Sequence, residues 1–235
     1  MAKVVKERFK TRHSVFDEFT NRTLFKLISQ GHFEGLQSPI SVGKESNIFS
    51  ALTKERKKVI VKIYRLETCD FRRMYHYIRD DPRFVNLGKN RRDVIFAWCQ
   101  REYRNLLRAR EAHVSAPLPI TFLNNVLVME FVGNKEVAPK LKDFIPNNKK
   151  KLFGMIIKDI RKLYKLGFVH ADLSQFNILN HNEVPVIIDW SHCTPLKNLN
   201  SKELLERDVR NICNFFRKIG LKVDEKKILG KITKK

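Results

Sequence analysis

The sequence lacks several features that would place the chain outside the cell or in a membrane. No run of about 18 apolar residues is present, so we expect no membrane span. The basic amino terminus, residues 1–10, has no apolar stretch of the kind a secretory signal peptide needs. The four cysteines are scattered, without the C-x-x-C spacing of redox or zinc sites. We therefore expect a cytoplasmic protein with reduced thiols.

Acidic residues are scarce relative to basic ones. The chain has 47 Lys and Arg against 25 Asp and Glu, a formal net charge of +22. Such a surface favours anionic partners, and RNA is the natural candidate. The alternative is a solvated, charge-rich face that serves heat stability. The hydrophobic content of 43% over 235 residues is typical of a folded protein with a sizeable core.

A glycine-rich phosphate loop of the form G-x-G-x-x-G is also missing. A single glycine, Gly43, lies in the turn Gly43–Ser46 between the predicted strands Leu36–Val42 and Asn47–Leu52. A glycine there would let backbone amides approach phosphate oxygens, and Lys44 would add positive charge. An ordinary hairpin turn would have the same sequence.

The residues that carry chemistry lie in the segment from Phe168 to Asp189. His170, Asp172, Leu173 and Asn177 match the kinase catalytic-loop pattern H-R-D-L-x-x-x-N, with alanine at position 171 in place of arginine, and Asp189 ends the next apolar run. Asp172 is suited to accept the proton of an attacking hydroxyl group. The amide of Asn177 and the carboxylate of Asp189 are oxygen ligands suited to magnesium. Asx turns and strand-end capping are the structural alternative for these residues.

Two further residues fit phosphoryl transfer. Lys62 ends the run Val59–Lys62, similar to the V-A-I-K strand of kinases. A helix predicted over Asp93–Ala112 places Glu102 in its apolar stripe, where a carboxylate needs a partner. We predict a Lys62–Glu102 ion pair. The alternative places Glu102 at the margin of the stripe, paired with Arg101 or Arg104.

The remaining pattern predicts an α+β fold with two lobes. The first, over 15–131, would hold an amphipathic helix over Val15–Ser29, an antiparallel sheet with a third strand over Lys58–Tyr64, and a long polar flap over 67–92. The strand Val126–Phe131 would place Met129 and Phe131 at a hinge between the lobes, as in a kinase; a buried strand that ends in a turn would have the same sequence. The second lobe, 132–235, would be mostly helical. Its predicted elements are a linker with short helical character over Val137–Asn148, helices over Lys149–Leu166 and Lys202–Ile219, and a basic tail. Residues 1–14 are predicted to be a flexible basic terminus.

These motifs together resemble the RIO family of atypical protein kinases, in its first subfamily and short archaeal form. The resemblance covers nearly the whole chain from Phe19 onward. It rests on Ser41–Asn47, Val61–Tyr64, Phe71–Phe84, Glu102–Leu106, Val128–Phe131, His170–Ser174 and Ile188–Asp189. The insertion within 67–92 is its most family-specific part.

The resemblance implies a minimal two-lobed kinase fold that binds ATP and magnesium, with manganese as an alternative metal. It implies autophosphorylation on serine, ATPase activity and a role in maturation of the small ribosomal subunit, with the subunit precursor and its RNA as partners. Asp172 would be catalytic, Asn177 and Asp189 would bind metal, and Asp189 would accept phosphate transiently. The implied nucleotide-binding residues are Gly43, Lys44, Ser46, Lys62, Glu102, Met129 and Phe131.

Three alternatives stay open at this stage. The sequence Asp189-Trp190 is similar to aminoglycoside and choline phosphotransferases, but those enzymes have a larger region after the metal-binding aspartate. A compact tRNA-modification kinase would lack the 67–92 insertion. A third alternative is a module that binds precursor ribosomal RNA and uses its ATP pocket as a conformational switch. The short sequence after Asp189 leaves no room for a peptide-binding platform, and we expect a monomer.

Overall fold

The computed structural model describes residues 16–79, 81–84 and 87–234. The predicted flexible terminus and Val15 therefore lie outside the described residues. The described residues form two compact units. The sheet unit comprises the described residues of Met1–Tyr75, Leu87–Gln100 and Ile120–Glu130, and the helical unit comprises those of His76–Asn86, Arg101–Pro119 and Phe131–Lys235.

The sheet unit contains an antiparallel sheet and one helix packed on it. Its elements are helix α1 (Glu18–Ser29) and strands β1 (Leu36–Val42), β2 (Ser46–Leu52), β3 (Lys58–Tyr64), β4 (Pro119–Leu123) and β5 (Val126–Glu130). The five strands lie in the order β1-β2-β3-β5-β4. The bounds of β1 and β3 agree with the predicted ones.

Alternation along β3 separates the two faces of the sheet. Val59, Val61 and Ile63 are buried in one cluster with Leu24 and Leu27 of α1. Because successive side chains of a strand point to opposite faces, Lys62 lies on the face opposite α1. The Asp17 carboxylate caps α1 by accepting a hydrogen bond from Thr20 N at 2.9 Å. The helix ends before Gly31, which has a φ of +81° as the predicted terminator should.

The segment 67–92 differs from the predicted loop. It contains helix α2 (Phe71–Ile78), the 3₁₀ turn Pro82–Phe84 and the start of helix α3 (Arg91–Glu111). Three aromatic residues and a buried Met74 give α2 an apolar face, which the many arginines of the whole segment concealed. Whether this segment moves as a flap stays a prediction.

The helical unit is built around two long amphipathic helices. They are α4 (Lys149–Lys165) and α5 (Ser201–Lys218), and a third helix, α6 (Glu225–Thr233), packs against both. Four residues predicted to face inward from α4 are buried: Leu152, Ile156, Ile160 and Leu163. Short strands complete the unit: β6 (Phe168–Val169) pairs with β9 (Thr194–Pro195), and β7 (Ile178–His181) pairs with β8 (Val184–Ile187).

Two predictions in the helical unit were wrong. The predicted linker over 137–148 has turns rather than helical character, and Lys140 instead forms an isolated bridge to Leu179. The predicted basic tail contains α6. Asp224 caps this helix at Lys227 N, 3.1 Å away, and Ile232 is fully buried. The high lysine content of the segment concealed this one apolar contact.

The two units divide the chain differently from the predicted boundary at 131/132. The described residues within 76–86, together with residues 101–119, belong to the helical unit although they precede that boundary. The division falls inside α3, after Gln100. The second half of this helix carries Arg101 and Asn105, which bond to the segment that follows Asp189. No helix in the described ranges combines the length and apolar character that a membrane crossing requires.

Candidate active site

The predicted catalytic loop has a defined hydrogen-bonded geometry. It begins directly after β6 and runs to the start of β7 at Ile178. The side-chain amide of Asn177 donates from Nδ2 to the backbone oxygen of Asp172 at 2.8 Å and to its Oδ2 at 3.0 Å. Because Nδ2 faces Asp172, the amide oxygen of Asn177 is the atom oriented for an external ligand. The structure thus brings together two of the residues that the motif predicted.

Asp189 lies beside this loop through a main-chain contact. Ile188 N donates to Asn177 O at 3.0 Å, so the next residue along the chain, Asp189, is held near Asn177. Asp189 itself has a φ of +62° and a ψ of +68°, a left-handed conformation that is costly for a non-glycine residue. Ser191 Oγ donates to Asp189 Oδ1 at 3.0 Å and fixes the carboxylate.

His170 serves as an internal support of the loop. It is buried, its Nε2 lies 3.2 Å from Ile188 O, and its ring packs edge-on to Trp190 with 4.9 Å between centroids. Burial lowers the pKa of His170 to about 4, against the opposing charge of Asp189. The imidazole is therefore neutral at physiological pH, and its N–H donates to the Ile188 carbonyl.

A residue that the sequence motifs did not indicate, Asp208 of α5, holds the backbone of the catalytic loop. Its two carboxylate oxygens accept hydrogen bonds from Ala171 N and Leu173 N, each at 2.8 Å. Ala171 has a φ of +66° and is fully buried, so these bonds stabilise a strained turn. Burial raises the pKa of Asp208 to about 7, although the two amides act in the opposite direction. Its position between buried residues of an amphipathic helix, Leu205, Val209 and Ile212, was the available sequence signal.

A second group of residues not assigned a role from the sequence supports the segment after Asp189. Arg101 is fully buried; its Nη1 donates to Ser191 O at 2.8 Å and its Nε donates to Asp81 Oδ2 at 3.2 Å. Asn105 donates from Nδ2 to Trp190 O at 2.8 Å and to Cys193 O at 3.0 Å. A continuous chain of contacts therefore runs from Asp81 in the insertion through Arg101 and Ser191 to Asp189.

The buried charges in this group stabilise one another. Burial alone would raise the pKa of Asp81, but the hydrogen bonds and charge of Arg83, followed by the charge of Arg101, lower it below its ordinary value. Arg83 donates three hydrogen bonds to that carboxylate: N to Oδ1 at 3.1 Å, Nε to Oδ1 at 2.9 Å and Nη2 to Oδ2 at 2.6 Å. Burial lowers the pKa of Arg101, and Asp81 opposes the effect.

The donors near the loop fit a hard divalent cation only in part. Asn177 and Asp189 offer an amide oxygen and a carboxylate, the ligand types that magnesium prefers. Among the described residues, no group of three or more His, Cys, Asp or Glu side chains could hold a metal ion. This donor set therefore fits a magnesium ion that also takes oxygen ligands from a bound phosphate.

The phosphate-loop candidates lie in the sheet unit. The turn between β1 and β2 is closed by Gly43 N donating to Ser46 O at 3.0 Å. Its backbone is fixed further by Thr68 Oγ1, which donates to Lys44 O at 2.7 Å, and by Cys69 Sγ, which lies 2.8 Å from Glu45 O. The turn is thus an ordered hairpin. The nucleotide-binding roles of Gly43, Lys44 and Ser46 stay predictions.

Lys62 and Glu102 are both buried, at 5% and 1% exposure. The burial of Glu102 contradicts the alternative that placed it at the margin of the α3 stripe. The Lys62–Glu102 ion pair stays a prediction. Met129 lies in β5 opposite Ile60, and Phe131 directly follows that strand. The adenine-binding roles of Met129 and Phe131 also stay predictions.

Comparison with known proteins identifies the family. The RIO domain model matches residues 47–228. The chain is 40% identical over 219 residues to the RIO-type serine/threonine-protein kinase Rio1 of Haloferax volcanii, covering 93% of this chain and 76% of that protein. It is 42% identical over 231 residues to the Rio1 kinase of Methanocaldococcus jannaschii, covering 97% and 79%.

Solved structures support the same fold. The Rio2 kinase of Chaetomium thermophilum, crystallised as an ADP/Mg²⁺-phosphoaspartate complex, matches with a TM-score of 0.71 at 23% identity. The match covers 91% of this chain and 66% of that one. The predicted α+β kinase-like fold, with a sheet unit and a helical unit, is confirmed. The chain belongs to the RIO family, as the resemblance of its motifs predicted.

Proposed function

We propose that this chain is an ATP- and magnesium-dependent serine/threonine protein kinase that also hydrolyses ATP and phosphorylates itself. The observation that carries the proposal is the hydrogen bond from Asn177 Nδ2 to Asp172 Oδ2, 3.0 Å long, with Asp189 held beside it through Ile188. Asp172 would orient the attacking hydroxyl group and accept its proton. The named activity of the archaeal Rio1 relatives and the ADP/Mg²⁺ complex of the Rio2 kinase support the same assignment.

Asn177 and Asp189 would hold magnesium, which neutralises phosphate charge when bound. The protein's own contribution is to keep these donors in place. Asn177 is fixed by Asp172, Asp189 is fixed by Ser191, and the loop backbone is fixed by Asp208. Such preorganisation means that little rearrangement is needed when the reaction occurs.

Asp189 is also the proposed transient phosphate acceptor. An oxygen of its carboxylate would attack the γ-phosphorus of ATP, the bond to the β-γ bridging oxygen would break, and ADP would leave. Water would then hydrolyse the acyl phosphate and restore the carboxylate. The phosphoaspartate in the crystallised Rio2 kinase supports this assignment.

The biological setting that we propose is maturation of the small ribosomal subunit in the cytoplasm, with the chain acting as a monomer. The net charge of +22 supports proximity to RNA. Association with the purified subunit precursor, measured by sedimentation with and without ATP, tests this setting. Absence of the chain from the precursor fraction under both conditions would contradict it.

The activity is tested by turnover of γ-labelled ATP in the unsubstituted chain and in Asp172→Ala and Asp189→Ala variants. We expect each substitution to lower turnover at least 100-fold. Asp143→Ala, which removes an exposed aspartate paired only with Lys142, is the matched control and should retain full turnover. Turnover that persists in both site variants would refute the proposal. Sensitivity of the protein-bound label to hydroxylamine distinguishes an acyl phosphate from phosphoserine.

A further inference from the structure

One exposed face of α4 carries basic residues that the proposed chemistry does not use. At 100° per residue, seven positions of α4 share this face, and none of them is acidic. We call this face the α4 stripe: Lys151, Gly154, Met155, Lys158, Arg161, Lys162 and Lys165. The opposite face is buried in the helical unit. The stripe thus concentrates positive charge on one side of the unit.

The end of α3 adds to this charge. A cavity of about 390 Å³ lies between the α4 stripe and the segment 110–115, and Arg110, His113 and Ser115 line it together with Lys158 and Lys162. Both Arg110 and His113 are exposed. The cavity therefore has basic side chains on two sides, contributed by two separate segments.

The acidic groups in the neighbourhood are already engaged. Asp159 accepts hydrogen bonds from Ser115 N at 3.2 Å and from Lys162 Nζ at 2.7 Å, so it neutralises Lys162. Glu111 is paired with Arg108 at 2.7 Å. The carboxylate of Glu183 accepts backbone amides at the start of α4 and attracts Lys151.

Three basic side chains of the stripe remain without such compensation. Within the described ranges, Lys158, Arg161 and Lys165 form no ion pair, and neither does Arg110. Like charges this close repel one another, which costs stability unless an anion is bound. The stripe is therefore better explained by an anionic partner than by the stability of the isolated chain.

The length and shape of the stripe indicate an extended polyanion. Lys158 and Lys165 are separated by two helical turns, about 10 Å along the axis, which corresponds to roughly three nucleotides of one strand. Gly154 lies next to them, and a Cβ built there would meet nothing within 4 Å. A sugar-phosphate backbone could approach the helix closely at this position.

We propose that the α4 stripe, with Arg110 and His113, binds the phosphate backbone of RNA. The proposal assigns a binding surface to the proposed ribosomal role. It depends on that role only for the choice of RNA over other nucleic acids. The contacts go to phosphates, so binding should be independent of base sequence and strongly dependent on salt.

The test uses the full chain and a fluorescein-labelled 20-nucleotide oligouridylate. Replacing Lys158 and Lys165 by glutamine removes two charges from the stripe and keeps a residue of similar helix propensity. Each lost phosphate contact should lower the salt slope by about 0.7, so the double variant should lose roughly 1.4 from the slope. If both proteins bind equally at 1 M salt, this difference in slope predicts that the double variant binds about 25-fold more weakly than the unsubstituted chain at 0.1 M salt.

The matched control is Lys226→Gln with Lys231→Gln, two exposed lysines of α6 whose removal changes the net charge equally. We expect the control to weaken binding less than threefold. Equal weakening in both variants would assign binding to overall charge and overturn the proposal, as would unchanged binding in the stripe variant. Unlabelled RNA and poly-glutamate are then compared as competitors at equal total charge. If poly-glutamate displaces the labelled probe as effectively as RNA, the assignment to RNA is overturned.

The same preparations are assayed for magnesium-dependent ATP turnover. The stripe residues lie outside the proposed catalytic groups, so turnover in the Lys158→Gln, Lys165→Gln variant should equal that of the unsubstituted chain. A chain that binds RNA through the stripe but hydrolyses no ATP would refute the proposed enzymatic function and leave the surface assignment intact.

Discussion

The buried pair of Asp81 and Arg101 allows a quantitative prediction because its two members are not equally replaceable. Asp81→Asn removes the counter-charge that Asp81 gives to the Arg101 guanidinium, which is buried at 0% exposure. Removing one partner of a buried ion pair costs about 3–5 kcal/mol. Arg83, whose side chain is 20% exposed, can turn to solvent and does not add to this cost.

The reverse substitution should cost less. In Arg101→Met, Asp81 keeps its three hydrogen bonds from Arg83, so no charge is left without a partner. The main loss is the donor to Ser191 O, which leaves a buried carbonyl group unsatisfied at about 1–3 kcal/mol. In the double variant the buried cation is gone as well, so its stability should lie close to that of Arg101→Met alone.

Urea unfolding of the unsubstituted chain, both single variants and the double variant measures these differences as a double-mutant cycle. We expect Asp81→Asn to lower the unfolding free energy more than Arg101→Met, with a coupling of roughly 3–5 kcal/mol between the sites, equal to the cost of Asp81→Asn alone. Additive single costs, or a larger loss for Arg101→Met, would refute the account of a buried cation that depends on Asp81.

Two further predictions concern the loop and a turn. Burial raises the pKa of folded Asp208 to about 7, whereas the pKa of the unfolded carboxyl group is 3.8. The unfolding free energy should therefore fall as pH rises between these two values and level off above pH 7. Asp208→Asn should remove roughly 2.5 kcal/mol of this fall between pH 5 and 7.5 in urea unfolding; parallel pH profiles would contradict the assignment. Gly133 has a φ of +151°, and an added Cβ would lie 2.1 Å from Glu136 O, so Gly133→Ala should lower the melting temperature. The control Gly154→Ala, in open space on α4, should raise the unfolding free energy by about 1 kcal/mol, and equal effects of the two substitutions would refute the steric argument.

The elements that could be predicted from the sequence are those fixed by local pattern. Five of the seven residues of Lys58–Tyr64 are β-branched or aromatic, and the run forms β3 with the predicted bounds. The helix over Lys149–Lys165 has an apolar period of 3.6 and a glycine after its end, and it was placed within one residue. The residues of the catalytic motif lie close together in the sequence, so the motif could be found from spacing, whereas the Asp172–Asn177 hydrogen bond is seen only in the structure.

The supporting residues of the site could not be found in this way because their partners are distant along the chain. Asp208 bonds to amides 35 and 37 positions away, and Arg101 bonds to a carbonyl group 90 positions away. A charged residue within a charged helix looks solvent-exposed until the packing is known. Helix α6 was missed for the opposite reason, since a single buried isoleucine gives too weak a period among lysines.

The way in which the chain alternates between the two units limits how it can be divided. A fragment that ends at Phe131 would retain Arg101 and Asn105 but lose the carbonyl groups of Trp190, Ser191 and Cys193 to which they donate. The complementary fragment would contain those carbonyl groups without donors. Neither half should therefore reproduce its native hydrogen bonding in isolation, and the two halves expressed together should associate as complementing fragments. The native hydrogen bonding of this chain therefore depends on three carbonyl groups that closely follow Asp189.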